Sequence, residues 1–287
     1  PKYIAEALLA ARRKKFDLVW LCSKRASLPA AIRSVPFSTK EAIRELATAH
    51  VIISNVLYPA GFVKRHGQVC INTWHGAVPL KKIGFDNPAN KDKKDRVKIK
   101  YGARSNATFP NVDLMTSNSR FGTAMYRRAF GYSGEVLECG YPRNDVLLNT
   151  SAQLKKRVCD SLHIPQEKKI VLYAPTYRKK FLTDAFTLDY ASFLAGLGQE
   201  YVLLLRMHPR MISASKDIPY TDDFINASSY PDMQELLVSA DAGITDYSSW
   251  IYDYLLGGAP GFIFAPDKAM YDGMHGFYYP LEETPFP

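Results

Sequence analysis

The alternation of short apolar segments with amphipathic ones most constrains the fold, and it runs through the chain twice. The first half holds four segments with the length and composition of buried strands, at residues 16–21, 51–53, 69–71 and 136–139. Helices are predicted after the capping-box sequence of residues 38–41 and over residues 119–130. The second half repeats this order, with strands at 170–173, 202–205, 242–245 and 262–264 and helices at 232–240 and 249–256. Such alternation predicts parallel sheets with right-handed crossovers.

The length of 287 residues is enough for two domains of ordinary size. A polar break at residues 149–151 separates the two runs of strands and helices. We therefore predict an α/β fold of two Rossmann-like, parallel-sheet domains that face a cleft, over residues 1–150 and 151–287. Ligands of parallel sheets bind beyond the carboxyl ends of the strands, so the functional residues are expected at those ends.

Several classes of protein are poorly supported by the sequence. A run of about 18 apolar residues, which a bilayer-spanning helix needs, does not occur. The N-terminal sequence, beginning with residues 1–3, lacks the apolar region of a signal peptide. The 4 cysteines lie far apart, without a Cys-x-x-Cys pair or a Cys/His cluster. Reduced thiols in a cytoplasmic protein are therefore expected, rather than a disulfide scaffold or a zinc module.

The net charge of +9 is unevenly divided. Residues 1–150 carry 25 Lys and Arg against 11 Asp and Glu, a net charge of +14, whereas residues 151–287 carry a net charge of −5. The densest basic stretch, residues 81–104, is typical either of a solvated loop or of a landing site for a polyanion or an anionic membrane surface. The amphipathic residues 4–15, which end in four cations, leave the same two interpretations open.

Polar, reactive side chains follow the predicted strands at four places, and the first of them holds His75. This residue stands in a turn with Gly76, directly after the strand at residues 69–71. Histidine titrates near neutral pH and suits general-base chemistry when it can reach a cleft. The spacing alone, however, favours a surface or capping histidine beside a packed Trp74.

The second and third places follow two strongly apolar strands of the second half. At the second, Pro175 ends the strand, and Arg178 either clamps a phosphate or belongs to an ordinary basic loop. At the third, Arg206, His208 and Arg210 lie within five residues of one another. Burying that much positive charge near a strand end is costly unless an anion compensates it, so this cluster favours a functional site.

The fourth place, residues 242–250, joins a strand to a helix through a tight polar turn. Thr245, Ser248 and Ser249 supply hydroxyls, and the helix start supplies backbone N–H groups, a combination that favours phosphate. Asp and Ser are also the ordinary capping residues of helices. The sequence has no Walker A loop, Gly-x-Gly-x-x-Gly, Asp-x-Asp or metal-ligand spacing. Phosphate is therefore expected to be held by protein groups, without a metal or a dinucleotide cofactor.

Taken in order, these motifs resemble the CDP-glycerol glycerophosphotransferase family, whose members build teichoic-acid and related capsule backbones. The matching segments are TWHG at residues 73–76, CGYPRND at 139–145, YAPT at 173–176, RMHP at 206–209 and a fifth segment at 232–253. The fifth is the most specific, through ADAGITDYSS at 240–249 and YDY at 252–254. The resemblance extends from roughly residue 50 to residue 280. Five motifs in one order are far more specific than any one of them.

The resemblance implies a GT-B fold in which residues 1–150 receive the acceptor and residues 151–287 hold CDP-glycerol, the donor substrate. His75 is then the general base for a glycerol hydroxyl that attacks the β-phosphorus, CMP leaves, and His208 binds or protonates the donor phosphates. The other donor-binding residues implied are Pro175, Thr176, Arg178, Arg206, Pro209, Thr245, Asp246, Ser248, Ser249 and Asp253. The acceptor-side residues implied are Trp74, Gly76, Lys81 and Lys82. Family members usually continue into a further C-terminal helix, so the second domain is expected to be truncated.

Two other functions stay open, and the sequence does not separate a glycerol donor from a ribitol donor. A GT-B glycosyltransferase would use a nucleotide sugar, and a non-catalytic homologue would bind a polyanion or a membrane surface. The expected acceptor is a polyanionic or lipid-linked polymer, and the expected location is the cytoplasm, peripherally on the inner face of the cell membrane. Nucleic acid is not favoured as a partner, because the basic stretch lacks interleaved aromatic residues.

Overall fold

The chain divides into two compact units. The computed structural model describes residues 1–11, 16–22, 28–56, 58, 62–76, 80–88, 111–149, 152–177 and 188–287. The first unit comprises Pro1–His75 and Lys93–Arg143, and the second comprises Gly76–Asp92 and Asn144–Pro287. The sequence predicts one boundary after residue 150, whereas the chain enters the second unit at Asn144 and places residues 76–92 there as well.

Backbone pairing explains why residues 76–92 belong to the second unit. The N–H of Lys82 donates to the carbonyl of Gly276 at 2.9 Å, and the N–H of Tyr278 donates to the carbonyl of Leu80 at 2.9 Å. The Leu80 side chain is fully buried in a cluster that includes Tyr247. These partners are remote in sequence, so no local pattern predicts their pairing.

The first unit carries a parallel four-stranded sheet in the order β3-β4-β5-β6 and a separate parallel pair, β1-β2. Its strands are β1 (Leu18–Cys22), β2 (Ile32–Pro36), β3 (Val51–Ser54), β4 (Val69–Asn72), β5 (Leu114–Ser117) and β6 (Glu135–Glu138). The α-helices among its described residues are α1 (Lys2–Ala10), α2 (Lys40–Thr48) and α3 (Arg120–Phe130). The strands β2 and β5 were not predicted, because polar residues interrupt the apolar pattern in both.

The two predicted helices of this unit are present, with one correction at a cap. Thr39, and not Ser38, caps α2, since its extended backbone lets its Oγ1 accept from the N–H of Ala42 at 3.1 Å. Ser119 caps α3 in the same way, and Gly131 ends that helix with a left-handed backbone at φ +61°. Such a conformation carries no Cβ penalty at glycine.

The second unit carries a parallel five-stranded sheet in the order β11-β10-β7-β8-β9. Its strands are β7 (Lys169–Tyr173), β8 (Tyr201–Leu205), β9 (Phe224–Asn226), β10 (Ala242–Thr245) and β11 (Gly261–Ile263). Its helices are α4 (Asp145–Leu148), α5 (Ala152–Leu162), α6 (Tyr190–Leu197), α7 (Ile212–Ser215), α8 (Met233–Ser239), α9 (Trp250–Tyr254) and α10 (Lys268–His275). The four predicted strands are confirmed, and the three-residue β9 was missed.

The strand order of the second unit places a topological switch point between β7 and β10. From β7 the chain proceeds through β8 to β9 on one side, and β10 and β11 lie on the other. In open parallel sheets, ligands bind at the carboxyl ends of the strands that flank such a point. The segments that follow β7 and β10 are two of the four places predicted to carry chemistry.

The central strands of this sheet are buried on both faces. Ile170 and Leu172 of β7 pack in one core cluster, whereas Val171 and Tyr173 pack in another on the opposite face. Continuous apolar runs of this kind are typical of covered parallel sheets, which is why the sequence predicted these strands well. Among the described residues, no helix is long and apolar enough to span a bilayer.

Candidate functional site

His75 is carried by a turn that hydrogen bonds fix at the end of β4. The N–H of Thr73 donates to the carbonyl of Ser54 at 2.8 Å, which continues the pairing of β3 and β4. Asn72 then donates through Nδ2 to the carbonyl of Val56 at 2.9 Å and accepts through Oδ1 from the N–H of Trp74 at 2.8 Å. The backbone that presents His75 is therefore held by β3 and by the segment that follows it.

Trp74 has a left-handed backbone, with φ at +52°. This conformation is uncommon for a bulky residue, costs energy, and persists where the surroundings enforce it, often at functional sites. Here the indole packs against two aromatic side chains of α3, with ring centroids 4.7 Å from Phe130 and 6.5 Å from Tyr126. The packing fixes the turn that carries the adjacent His75.

The imidazole of His75 is exposed, and its hydrogen bond selects a tautomer. Nδ1 lies 2.6 Å from the carbonyl oxygen of Asn55. Because a carbonyl only accepts, Nδ1 is the protonated nitrogen, and in the neutral ring Nε2 carries the lone pair. The ring also lies 4.1 Å from the Trp74 ring. The geometry therefore suits a base that acts through Nε2, and Gly76 leads directly into the second unit.

Asp246 ties together the two strand ends at the switch point of the second unit. Its Oδ1 accepts from the N–H of Thr176 at 2.8 Å and from the N–H of Tyr247 at 2.5 Å. The hydroxyl of Thr245 donates to the carbonyl of Ala174 at 2.8 Å. Thr245 and Asp246 are only 0% and 2% exposed. Both were predicted to bind the donor, which stays a prediction, and the contacts observed here hold the turn.

The two serines that follow are the accessible part of this turn. Ser248 and Ser249 are half-buried, and Ser249 occupies the N-cap position of α9 without making a side-chain capping bond. Their hydroxyls are therefore available for the phosphate predicted from the sequence. Pro175 and Thr176, at the end of β7, are buried, and Arg178 lies outside the described residues.

Arg206 holds backbone rather than presenting its whole guanidinium to solvent. Its Nη1 donates to the carbonyls of Ala227 at 3.1 Å and Tyr230 at 2.6 Å, just after β9. Burial lowers the pKa of the guanidinium, and Asp232 acts in the opposite direction. The sequence predicted a ligand for the donor at this position, which stays a prediction, and Nη1 is engaged by the two carbonyls at the sheet edge.

His208 is exposed at the end of β8 and has the opposite tautomer to that of His75. Its Nδ1 accepts from the backbone N–H of Arg210 at 3.2 Å and thereby caps the short turn Pro209–Met211. In the neutral ring the proton must then lie on Nε2, which is a donor. Although the residue is exposed, the protein covers part of the ring, and this partial desolvation lowers the pKa of the imidazole; the charges of Arg210 and Lys81 lower it further.

Tyr177 lies beside His208 and Arg210. Its ring centroid is 5.2 Å from that of His208, and the Arg210 guanidinium lies 5.6 Å from the same ring. Pro209, also predicted to contact the donor, opens the short turn that His208 caps and is exposed. The carboxyl ends of β7 and β8 thus bring together an imidazole, a guanidinium and an aromatic ring.

Asp253 is buried in a polar network and not at the strand ends. It accepts from Nδ2 of Asn144 at 2.6 Å, and Oδ1 of Asn144 accepts from Gln234 at 3.4 Å. Asn144 belongs to the segment CGYPRND, one of the motifs that carry the family resemblance. This pairing accounts structurally for two of the motifs, and the donor-binding role implied for Asp253 stays a prediction.

Lys81 and Lys82, expected on the acceptor side, lie in the second unit. Lys81 and Phe277 form an isolated antiparallel β-bridge through their backbones. The Nζ of Lys81 donates to the hydroxyl of Tyr271 at 3.4 Å. Within the described residues, no group of three or more His, Cys, Asp or Glu side chains could hold a metal ion. Most of the basic stretch, residues 89–110, and the cations at 12–15 lie outside the described residues.

Comparisons with known proteins give one consistent result. The sequence model of the family CDP-glycerol:poly(glycerophosphate) glycerophosphotransferase matches residues 1–287. A teichoic acid poly(glycerol phosphate) polymerase of Staphylococcus epidermidis is 33% identical over 302 aligned positions, which cover 100% of this chain and 41% of that protein. A teichoic acid glycerol-phosphate transferase of Staphylococcus aureus is 30% identical, over 94% of this chain and 72% of that protein. This chain thus spans less than half of the first of these relatives.

The solved structures agree with the sequence relatives. A histidine-to-alanine variant of the wall teichoic acid polymerase TagF matches with a TM-score of 0.89 at 32% identity, over 100% of this chain and 72% of that chain. A histidine-to-asparagine variant of TagF soaked with CDPG matches with a TM-score of 0.87 at 31% identity, over 100% of this chain and 72% of that chain. The similarity confirms the predicted GT-B-like α/β fold.

Proposed function

Since the chain belongs to the CDP-glycerol:poly(glycerophosphate) glycerophosphotransferase family, we propose that it transfers glycerol phosphate from CDP-glycerol to a hydroxyl of a teichoic-acid-like or capsule acceptor. CMP is the second product. The observation that carries the proposal is the pair of complementary tautomers. The Nε2 atom of His75 offers a lone pair, whereas the Nε2 atom of His208 carries a hydrogen and offers an N–H donor.

The proposed reaction needs one proton acceptor and several donors for phosphoryl oxygens. The acceptor hydroxyl oxygen attacks the β-phosphorus, its proton passes to Nε2 of His75, and the bond from that phosphorus to the bridging oxygen breaks. Negative charge then develops on CMP and is spread over the phosphoryl oxygens. Donors fixed in advance stabilise such charge, because they need no reorganisation during the reaction.

The second unit supplies those donors in the proposed mechanism. Nε2–H of His208 and the hydroxyls of Ser248 and Ser249 contact the diphosphate at the strand ends beside the switch point. Asp246 and Thr245 hold the turn that carries the serines. The first unit supplies His75, which Trp74 positions for the acceptor. No resident cofactor or metal is part of this proposal.

The donor is tested by incubating the 287-residue chain with CDP-glycerol, CDP-ribitol and UDP-glucose, each with a glycerol-phosphate oligomer as the acceptor. We expect CMP release with CDP-glycerol that depends on the acceptor, and no release of UDP or UMP from UDP-glucose. A larger rate with CDP-ribitol would change the proposed donor. Activity with UDP-glucose alone would contradict phosphoryl transfer and support a glycosyltransferase.

We also propose that the protein works in the cytoplasm, peripherally at an anionic membrane surface, where a lipid-linked acceptor would be presented. The net charge of +14 over residues 1–150 supports this, because clustered cations attract anionic lipid headgroups. The chain should pellet with vesicles that contain anionic lipid and not with neutral vesicles, and salt should weaken the binding. Equal recovery with both kinds of vesicle at low salt would contradict the proposal.

A further inference from the structure

The segment that carries Lys81 is fixed to the second unit from both sides. Its backbone pairs with residues 276–278 through backbone hydrogen bonds of Leu80 and Lys82, which make Lys81 and Phe277 partners in an antiparallel β-bridge. Leu80 is buried in the same apolar cluster as Tyr247 and Tyr271. Lys81 therefore belongs to the framework that carries the turn of Ser248 and Ser249.

An aromatic stack connects Lys81 with that turn. The Lys81 ammonium donates to the hydroxyl of Tyr271, whose ring stacks on Tyr247 with centroids 3.8 Å apart and an angle of 16° between the planes. Tyr247 lies directly between Asp246 and Ser248, and its hydroxyl donates to Asp267 at 2.7 Å. The ammonium is thus one stacked ring away from the predicted phosphate-binding turn.

The charge of Lys81 also reaches the other end of the site. The pKa of His208 is lowered by burial and by the cations Arg210 and Lys81. Lys81 therefore acts electrostatically on the imidazole and is connected with the turn through Tyr271 and Tyr247. A diphosphate bound by His208 and the two serines would lie in the electric field of Lys81, Arg210 and the protonatable His208. Such a field favours binding of the anion.

We infer that Lys81 is a ligand of the donor diphosphate, and not a residue of the acceptor side as the sequence predicts. The inference rests on the proposed function and adds a cation to the donor-binding groups. A lysine ammonium is a compact charge on a flexible stem, well suited to a phosphate oxygen. The backbone of Lys81 is fixed by the pairing with residues 276–278, so its side chain extends from a defined position.

Replacing Lys81 by methionine tests the inference, because methionine keeps the length of the stem and removes the charge. Calorimetric titration with CDP-glycerol should show affinity about 10- to 100-fold lower, the usual effect of losing a hydrogen bond to a charged group. The KM for CDP-glycerol should rise, whereas the KM for the acceptor should not. Lys81→Arg should restore most of the affinity, since it keeps the charge.

Lys216→Met is the matched control, because it removes the same charge from an exposed position in the same unit. It should leave the affinity for CDP-glycerol unchanged. If the wild-type chain binds CDP-glycerol and Lys81→Met binds it equally well, the inference is wrong and the proposed function stands. A raised KM for the acceptor alone would likewise overturn it. If the wild-type chain binds no CDP-glycerol, the proposed function fails and the inference fails with it.

Discussion

Replacing His75 by asparagine should slow CMP release from CDP-glycerol by about 100- to 10,000-fold, the range that general-base catalysis contributes. The substitution is chosen for its geometry. The Nδ2 of asparagine can donate to the carbonyl of Asn55, as Nδ1 of His75 does at 2.6 Å. The turn is therefore expected to persist, and only the lone pair on Nε2 is lost. Steady-state kinetics with a saturating acceptor should show the loss in kcat.

His66→Asn provides the control for this experiment. His66 is exposed and lies in the same unit, and its backbone carbonyl, which accepts from Arg65, is left in place by the substitution. This variant should retain wild-type turnover. Circular dichroism and donor binding should be unchanged in His75→Asn, because the donor is assigned to the second unit. A variant at His75 that turns over at the wild-type rate would remove the base from the mechanism.

The strands β7 and β8 of the second unit could be predicted because each one is marked by an apolar run within its own sequence. Residues 170–173 and 202–205 are continuous apolar runs, and burial on both faces of a parallel sheet requires such runs. The residues that follow these strands could then be placed at one edge by the rule for carboxyl ends. His208 and the turn before α9 were found in this way, without knowledge of any contact.

The exact roles at that edge depend on partners that the sequence does not display. Arg206 was expected to face an anion, but its contacts are carbonyls beyond β9. Thr245 was expected to offer a hydroxyl, which is donated to Ala174 across the sheet. A charged or hydroxyl side chain at a strand end has the same pattern in sequence whether it binds a ligand or the neighbouring strand.

Two further features have no signature in the sequence. Lys81 meets Tyr271, 190 residues away, and that pairing places it in the second unit. The left-handed backbone of Trp74 is equally hidden, because nothing in the residue type favours it and aromatic packing with α3 enforces it. In both cases tertiary contacts determine a local property, so pattern and propensity could not have predicted it.

His208→Asn should lower kcat/KM for CDP-glycerol by about 100- to 1,000-fold, which is the usual effect of removing one donor to a developing oxyanion. Asparagine can accept through Oδ1 from the N–H of Arg210, as Nδ1 of His208 does. The cap of the turn Pro209–Met211 is therefore preserved, and the group lost is Nε2–H. The control is His163→Asn, at an exposed histidine with φ at +57°, a conformation that asparagine tolerates.

The pH dependence of donor binding separates this role from a structural one. The pKa of His208 in the free protein lies below the usual value of 6.5, so the imidazole is neutral at pH 7. A bound diphosphate favours the imidazolium and raises that pKa, so binding takes up a proton between the two pKa values. Affinity for CDP-glycerol should thus increase as the pH falls from about 8 to about 6. His208→Asn has no group that titrates at this position, so the increase should shrink or vanish. An unchanged pH slope in that variant would show that His208 does not contact the diphosphate.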